Sequence, residues 1–305
     1  MRITNPMTSG QIQGNLSSSL ERMYDLQSQA ATLKRLRTPS DDPSGVSLAI
    51  GVRATLAGAE QYARNLQHAS ALLKPADTAL ATVTSSLNAV KGFMASAINS
   101  TNDAQTRETL ARQVESHMDV IASQMNTRHM DRAIFGGYRT DTDPVTRSAP
   151  GNPLPYVYNG DAGVLRVAIN DNSTLPVSVT AQQVLNLGQA DATKPDGLEL
   201  LQRIADQIRA GDVSGMQQSG AELADLHRNV VTIRATLGAR ADQVQAHQAF
   251  NEEQLGMLRT QLSTLEDADI VDTITRLQSE QNVYQAALYS TRMMTQTASL
   301  ADYLR

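Results

Sequence analysis

Seam positions recur between Ile270 and Thr291 at alternating gaps of four and three: Ile270, Ile274, Leu277, Gln281, Tyr284, Leu288 and Thr291. That spacing is the heptad of a coiled-coil helix. Near the other terminus Ile12, Leu16, Leu20, Met23, Leu26, Ala30 and Leu33 make a similar stripe with less regular gaps. Gln281 and Thr291 are polar seam positions, which cost stability and can fix register. From about residue 11 to 135, and again from about 197 almost to the end, the texture is helical, rich in Ala, Leu, Gln and Ser.

The middle differs. Pro144, Pro150, Pro153, Pro155 and Pro176 appear between about 139 and 196, with short β-prone runs at Tyr156–Tyr158, Val164–Ile169 and Pro176–Val179. Asn159-Gly160-Asp161 and Asn170-Asp171-Asn172 predict turns between them. Two helical arms flanking one insert lie antiparallel in the simplest arrangement. The expected fold is mainly α with a small β-rich insert: an elongated antiparallel helical bundle, terminal coiled-coil arms and a distal β head. The expected division is 1–40 with 266–305 as the terminal coiled coil, 41–138 with 197–265 as a middle helical bundle, and 139–196 as an outer insert, of which about Thr146 to Val179 is expected to be replaceable by a short flexible linker.

Local breaks refine this picture. Lys74-Pro75 predicts a kink or restart, because proline lacks a donor and crowds the preceding turn. At Thr38–Gly45, Ser40 or Asp41 is positioned to cap a helix whose first turn holds Pro43, and Asp41-Asp42 reads as cap and first turn rather than as a metal site. Ser40, Asp41, Asp42 and Pro43 are thus expected to form a hinge. Further breaks are expected at Phe135–Tyr138, Gly211–Gly215 and Asp267–Asp269.

Charge sharpens the reading of the ends. No charged side chain occurs between Arg2 and Glu21, and Arg292 is the one between Glu280 and Asp302. A helix with a wet face normally places Lys, Glu and Arg on it. Here Gln, Asn, Ser and Thr stand there instead, and these are cheaper to desolvate when hydrogen-bonded. Both ends read as surfaces to be covered by protein, through Leu16, Leu20, Met23, Leu26 and Leu33 on one arm and Ile270, Ile274, Leu277, Tyr284, Leu288, Leu300 and Leu304 on the other.

Composition excludes more than it specifies. With 26 basic and 31 acidic residues the net charge is −5, which opposes a phosphate-binding role, so no nucleic-acid partner is expected. The chain has no Cys, hence no disulfide or thiolate site. No apolar run suits a bilayer span or a Sec-type leader, so no membrane insertion is expected. His68, His117, His129, His227 and His247 fall in no metal-ligand spacing, and Asp141-x-Asp143 lacks the Gly and Glu of a calcium loop. No phosphate-cradling glycine motif occurs. No enzyme, cofactor or metal is expected.

Several segments in order resemble the flagellin superfamily, and within it the hook–filament junction proteins. They are the opening Met1–Thr4, LKRLRTPSDDPSGVSLAI (Leu33–Ile50), Gln61-Tyr62 with Asn65, Arg107–Asn126, IFGGYRTDTDP (Ile134–Pro144), Tyr158–Asp161, Arg234–Arg240, Leu265–Leu288 and SLADYL (Ser299–Leu304). Val145 departs from the pattern, which often has an aromatic residue after the proline. The resemblance covers both arms and parts of the insert. It implies a structural adaptor of the bacterial flagellum, secreted unfolded through the flagellar type III export channel. In that role the chain meets hook-associated protein 1, flagellin, further copies of itself and an export chaperone. A short flagellin forming the filament itself is the alternative. PSDDP, the YNGD segment and the DYL ending favour the junction. A cytosolic coiled-coil module would instead carry charged e and g positions along both arms.

Overall fold

The computed structural model describes residues 5–99, 103–149, 154–188 and 195–302, side chains excepted at 5–9, 99 and 294–302. The described residues form α1 (Asn5–Thr32), α2 (Pro43–Asn99), α3 (Ala104–Met125), α4 (Ala181–Leu185), α5 (Gly197–Ala210), α6 (Val213–Glu266) and α7 (Ile270–Asp302). Six short strands are β1 (Arg128–His129), β2 (Arg132–Ala133), β3 (Val145–Arg147), β4 (Tyr156–Tyr158), β5 (Arg166–Asn170) and β6 (Ser173–Pro176). They pair antiparallel as β1–β2, β3–β4 and β5–β6. The protein is mainly α with a small β-rich insert, as expected.

The fold comprises two compact units, Met1–Gly58 with Leu255–Arg305 and Ala59–Gln254. In the first, Ala268 N donates to Leu33 O at 3.0 Å and Ser19 Oγ to Glu280 at 2.8 Å. Moving back along α1 is thus moving forward along α7, so the two helices run antiparallel. The turn at Pro39–Gly45 lies within this unit.

The second unit holds one continuous core. α5 supplies Leu198, Leu200, Leu201, Ile204, Ala205 and Ile208, all buried. α3 answers with Val114, Met118, Ile121 and Met125. At the edge of this contact Arg209 of α5 donates to Glu115 at 2.6 Å and to Glu108 at 3.0 Å on α3. Those two carboxylates hold the Arg209 guanidinium far above its ordinary pKa.

Helix ends follow their side chains. Asp103 caps α3 through Thr106 N at 2.8 Å, and Asp196 caps α5 through Leu198 N at 2.9 Å. Burial raises the pKa of Asp196 against those bonds. Thr180 and Gln183 form a reciprocal capping box on α4.

Several expectations are corrected. α2 continues through Pro75 without restarting. The first long helical stretch ends at Met125 rather than near 135, and is divided between α2 and α3. The strand expected at Pro176–Val179 lies at Ser173–Pro176, while Val177 and Val179 leave it to enter the core. The insert therefore has no core of its own. Val145, Val177, Val179, Val184 and Leu185 join the helical cluster, so a linker in its place would uncover the helices behind it.

Phe135 is fully buried, and its carbonyl accepts from Ala181 N at 2.9 Å. Phe135→Ala is predicted to destabilise the second unit by about 3–5 kcal/mol, read from the denaturant midpoint.

Candidate assembly interface

Expected interface residues begin at the turn into α2. Asp42 Oδ1 accepts from Gly45 N at 2.9 Å and from Ser44 Oγ at 2.8 Å, with Pro43 as the first helical residue. A Cβ on Gly45 would lie 2.4 Å from Asp42 Oδ2, so any larger residue there would displace the capping carboxylate. Asp41 faces the other way, accepting from Thr38 N at 2.8 Å, Arg37 N at 2.9 Å and Thr38 Oγ1 at 2.8 Å. Those amides lower its pKa to about 2. The cap is therefore Asp42; Ser40 and Asp41 do not hold the first turn of α2.

α1 ends at Leu33, whose φ of +57° is a conformation usually left to glycine. Leu33 is thus not a seam residue but the point where the chain turns. Beyond it Lys34 bridges to Asp267, and Arg35 N donates to Glu266 O at 2.6 Å. The Glu266 carboxylate is only 2% exposed as a residue, and it meets Lys34 Nζ at 3.2 Å and Arg53 Nε at 2.7 Å. Burial raises its pKa, but Arg53 and Lys34 together outweigh that and leave it lowered. Asp267, bonded by Lys34 at 2.7 Å and by Ser263, is lowered too, and the Lys34 ammonium is raised in return, chiefly by Asp267. Asp269 then caps α7 through Val271 N at 2.9 Å and Asp272 N at 3.1 Å.

From this point the two helices share a seam. Ile12, Leu16, Ser19, Met23, Leu26 and Ala30 are covered or half-covered on α1, gaps alternating four and three. On α7 the covered positions are Thr273, Leu277, Glu280, Tyr284, Ala287 and Thr291, with the same alternation. Leu20 is also half-buried. Leu277 and Tyr284 sit in the seam, whereas Ile270, Ile274 and Leu288 lie on its flank, 47%, 43% and 44% exposed. Val271 and Tyr289 extend this apolar flank, and both are exposed. The register contact is not Gln281, which is exposed, but Ser19 and Arg22 on Glu280, at 2.8 and 2.7 Å. Arg22 and Ser19 lower the pKa of Glu280. The Leu300 side chain and Leu304 lie outside the described residues. Sequence reasoning missed Ser19, Arg22, Arg53, Glu266 and Glu280. Arg22 and Glu280, at the edges of the uncharged stretches of the two arms, were the available signal.

Glu266, Asp267 and Glu280, like Asp41 and Asp42, have lowered pKa values in the folded state. Their stabilisation is complete above the ordinary carboxylate range and is lost as pH falls through the lowered values. Below about pH 4 the first unit should therefore melt progressively earlier. At neutral pH Glu266→Gln should destabilise it by about 1–3 kcal/mol. That difference should shrink towards zero as the pH approaches 2, measured by thermal melting of the two proteins across the range.

Residues 3–138 match the sequence profile described as the bacterial flagellin N-terminal helical region. Flagellar hook-associated protein 3 of Salmonella typhimurium is 24% identical over 306 residues, covering 94% of this chain and 95% of that one. A flagellin of Listeria monocytogenes is 20% identical, covering 100% and 99%. The solved structure of flagellar hook-associated protein 3 from Legionella pneumophila superposes with a TM-score of 0.59 at 14% identity, covering 70% of this chain and 98% of that one. Residues 3–138 thus resemble a flagellin N-terminal helical region, and the chain shares the fold of a hook-associated protein structure.

Proposed function

We propose that this chain is a structural adaptor of the bacterial flagellum, joining the hook, through hook-associated protein 1, to the flagellin filament. The observation that carries this reading is the apolar flank of α7. Ile270, Ile274 and Leu288 stay uncovered beside a seam already filled by α1, and from Gln281 to Ala301 the arm carries no charge but Arg292. Leaving such a stripe in water forgoes roughly 25 cal/mol for each Å² that a neighbour could cover. The full-length similarity to hook-associated protein 3 of Salmonella typhimurium supports the same role.

In this proposal Leu16, Leu20, Met23 and Leu26 with Leu277 and Tyr284 hold the arms together. Ile270, Ile274 and Leu288, with Leu300 and Leu304, meet neighbouring subunits: copies of this chain in one layer, then hook-associated protein 1 and flagellin. The Pro39–Gly45 turn, pinned by Asp41 and Asp42, redirects the chain from α1 into α2 within the terminal unit, and the β insert faces outward. An export chaperone covers the flank before assembly, and the site of action is the extracellular flagellum. No catalytic step, cofactor or metal belongs to the role. Among the described residues no helix is long and apolar enough to cross a membrane.

Immunogold labelling of intact flagella should place the chain in a short band at the hook–filament boundary. Label distributed along the filament, together with unaided polymerisation of the purified chain, would establish the flagellin alternative, which the full-length similarity to a Listeria flagellin supports. Deleting residues 284–305 should abolish incorporation at the hook tip. The melting transition of the second unit should not move, because its core lies wholly within Ala59–Gln254.

A further inference from the structure

A cleft of about 310 Å³ opens in the second unit, between α2, the β1–β2 hairpin and the segment after β6. Its floor is apolar: Leu72, Ala76, Ile134, Leu165, Val177 and Val179. Its one formally charged lining residue, Arg132, is a cation. His68, His129 and Arg132 face the cleft, and no Asp or Glu does, in a chain whose net charge is −5.

The hairpin that supplies two of these side chains is unusual. Met130 and Asp131, its two-residue turn, both have positive φ, +49° and +61°. Turns of this kind favour Asn and Gly. Holding a methionine there costs roughly 1–2 kcal/mol, and Met130 is 80% exposed, so burial does not offset the cost. Arg128 pins the turn, donating to Asp131 O at 2.8 Å and to Asp143 at 3.0 Å. The hairpin is thus fixed with its Arg132 side chain free of any carboxylate among the described residues. His129 Nε2 is buried at the wall of the cleft and has no hydrogen-bond partner. Such an orphaned polar atom costs about 1–3 kcal/mol until something satisfies it. Ser178 Oγ, also lining the cleft, already accepts from Leu165 N at 2.8 Å and keeps its own hydrogen to donate.

We infer that this cleft binds a carboxylate carried on a short apolar body. Arg132 supplies the charge, and His129 Nε2 and Ser178 Oγ supply hydrogen bonds. The aliphatic floor takes the apolar part. The inference is independent of how the terminal helices assemble. The same chemistry is offered by a free aliphatic acid and by a glutamate flanked by leucines on a neighbouring protein.

Hexanoate titrated into the full-length protein should produce saturable shifts of the His129 side-chain resonances, with a Kd of about a millimolar. Acetate, lacking the apolar body, and hexanamide, lacking the charge, should each bind at least about tenfold more weakly. Arg132→Gln should weaken hexanoate about tenfold and leave the melting temperature unchanged, since the side chain is exposed. The blocked peptide acetyl-Leu-Glu-Leu-amide carries only a side-chain carboxylate. Tighter binding of the peptide assigns the site to a protein segment, and tighter binding of hexanoate to a free acid. Absence of saturable shifts with both probes, hexanamide binding as tightly as hexanoate, or an unaffected Arg132→Gln protein would each overturn the inference.

Discussion

Glu266 is the point on which both termini depend. A carboxylate this deeply covered is stable only with partners, and Lys34 and Arg53 supply them from separate stretches of chain. The backbone of the same residue accepts from Arg35 N, and two residues on Ala268 donates back to Leu33. The end of α6 is thereby tied to the exit from α1. Once those are joined, α1 and α7 have no choice but to run past each other in opposite directions.

What they do along that path is set by a second polar contact. Ser19 and Arg22 on Glu280 lie midway along a seam of Leu16, Met23, Leu277 and Tyr284, where few other charges exist. Shifting the helices by one heptad would strand Glu280 against aliphatic side chains, so the contact selects one register. That register decides which face of α7 is spent on α1 and which remains. Ile270, Ile274 and Leu288 remain, and the proposed junction role rests on them. Stability and assembly in the first unit thus draw on adjoining stripes of one helix.

The long helices were legible because the heptad and the Ala, Leu and Gln texture repeat over many turns. The insert was legible because proline and turn residues cluster there. The division between α2 and α3 was missed although Ser100-Thr101-Asn102-Asp103 is a capping sequence. The β1–β2 hairpin left no signal, because Met130 and Asp131 occupy backbone conformations that their side chains disfavour. Leu33 was assigned to the seam by spacing alone, and only its left-handed backbone removes it. On the N-terminal arm the expected stripe coincides with the covered positions of α1 at Ile12, Leu16, Met23, Leu26 and Ala30. On α7 the expected stripe shares Leu277, Tyr284 and Thr291 with the covered face and omits Thr273, Glu280 and Ala287, which carry no hydrophobic mark. Tertiary pairing, not local preference, chose the covered face.

The register itself is directly measurable, because a chain without cysteine reports only the thiols placed in it. Four residues on from Ser19 and three back from Glu280 bring Met23 opposite Leu277. In the Met23→Cys, Leu277→Cys protein, mild oxidation should form an intramolecular disulfide readily, given the short Cα separation such a bond requires. Met23→Cys with Tyr284→Cys, one heptad out of register, should not cross-link. Efficient cross-linking of the second pair, or failure of the first in a folded protein, would contradict the account.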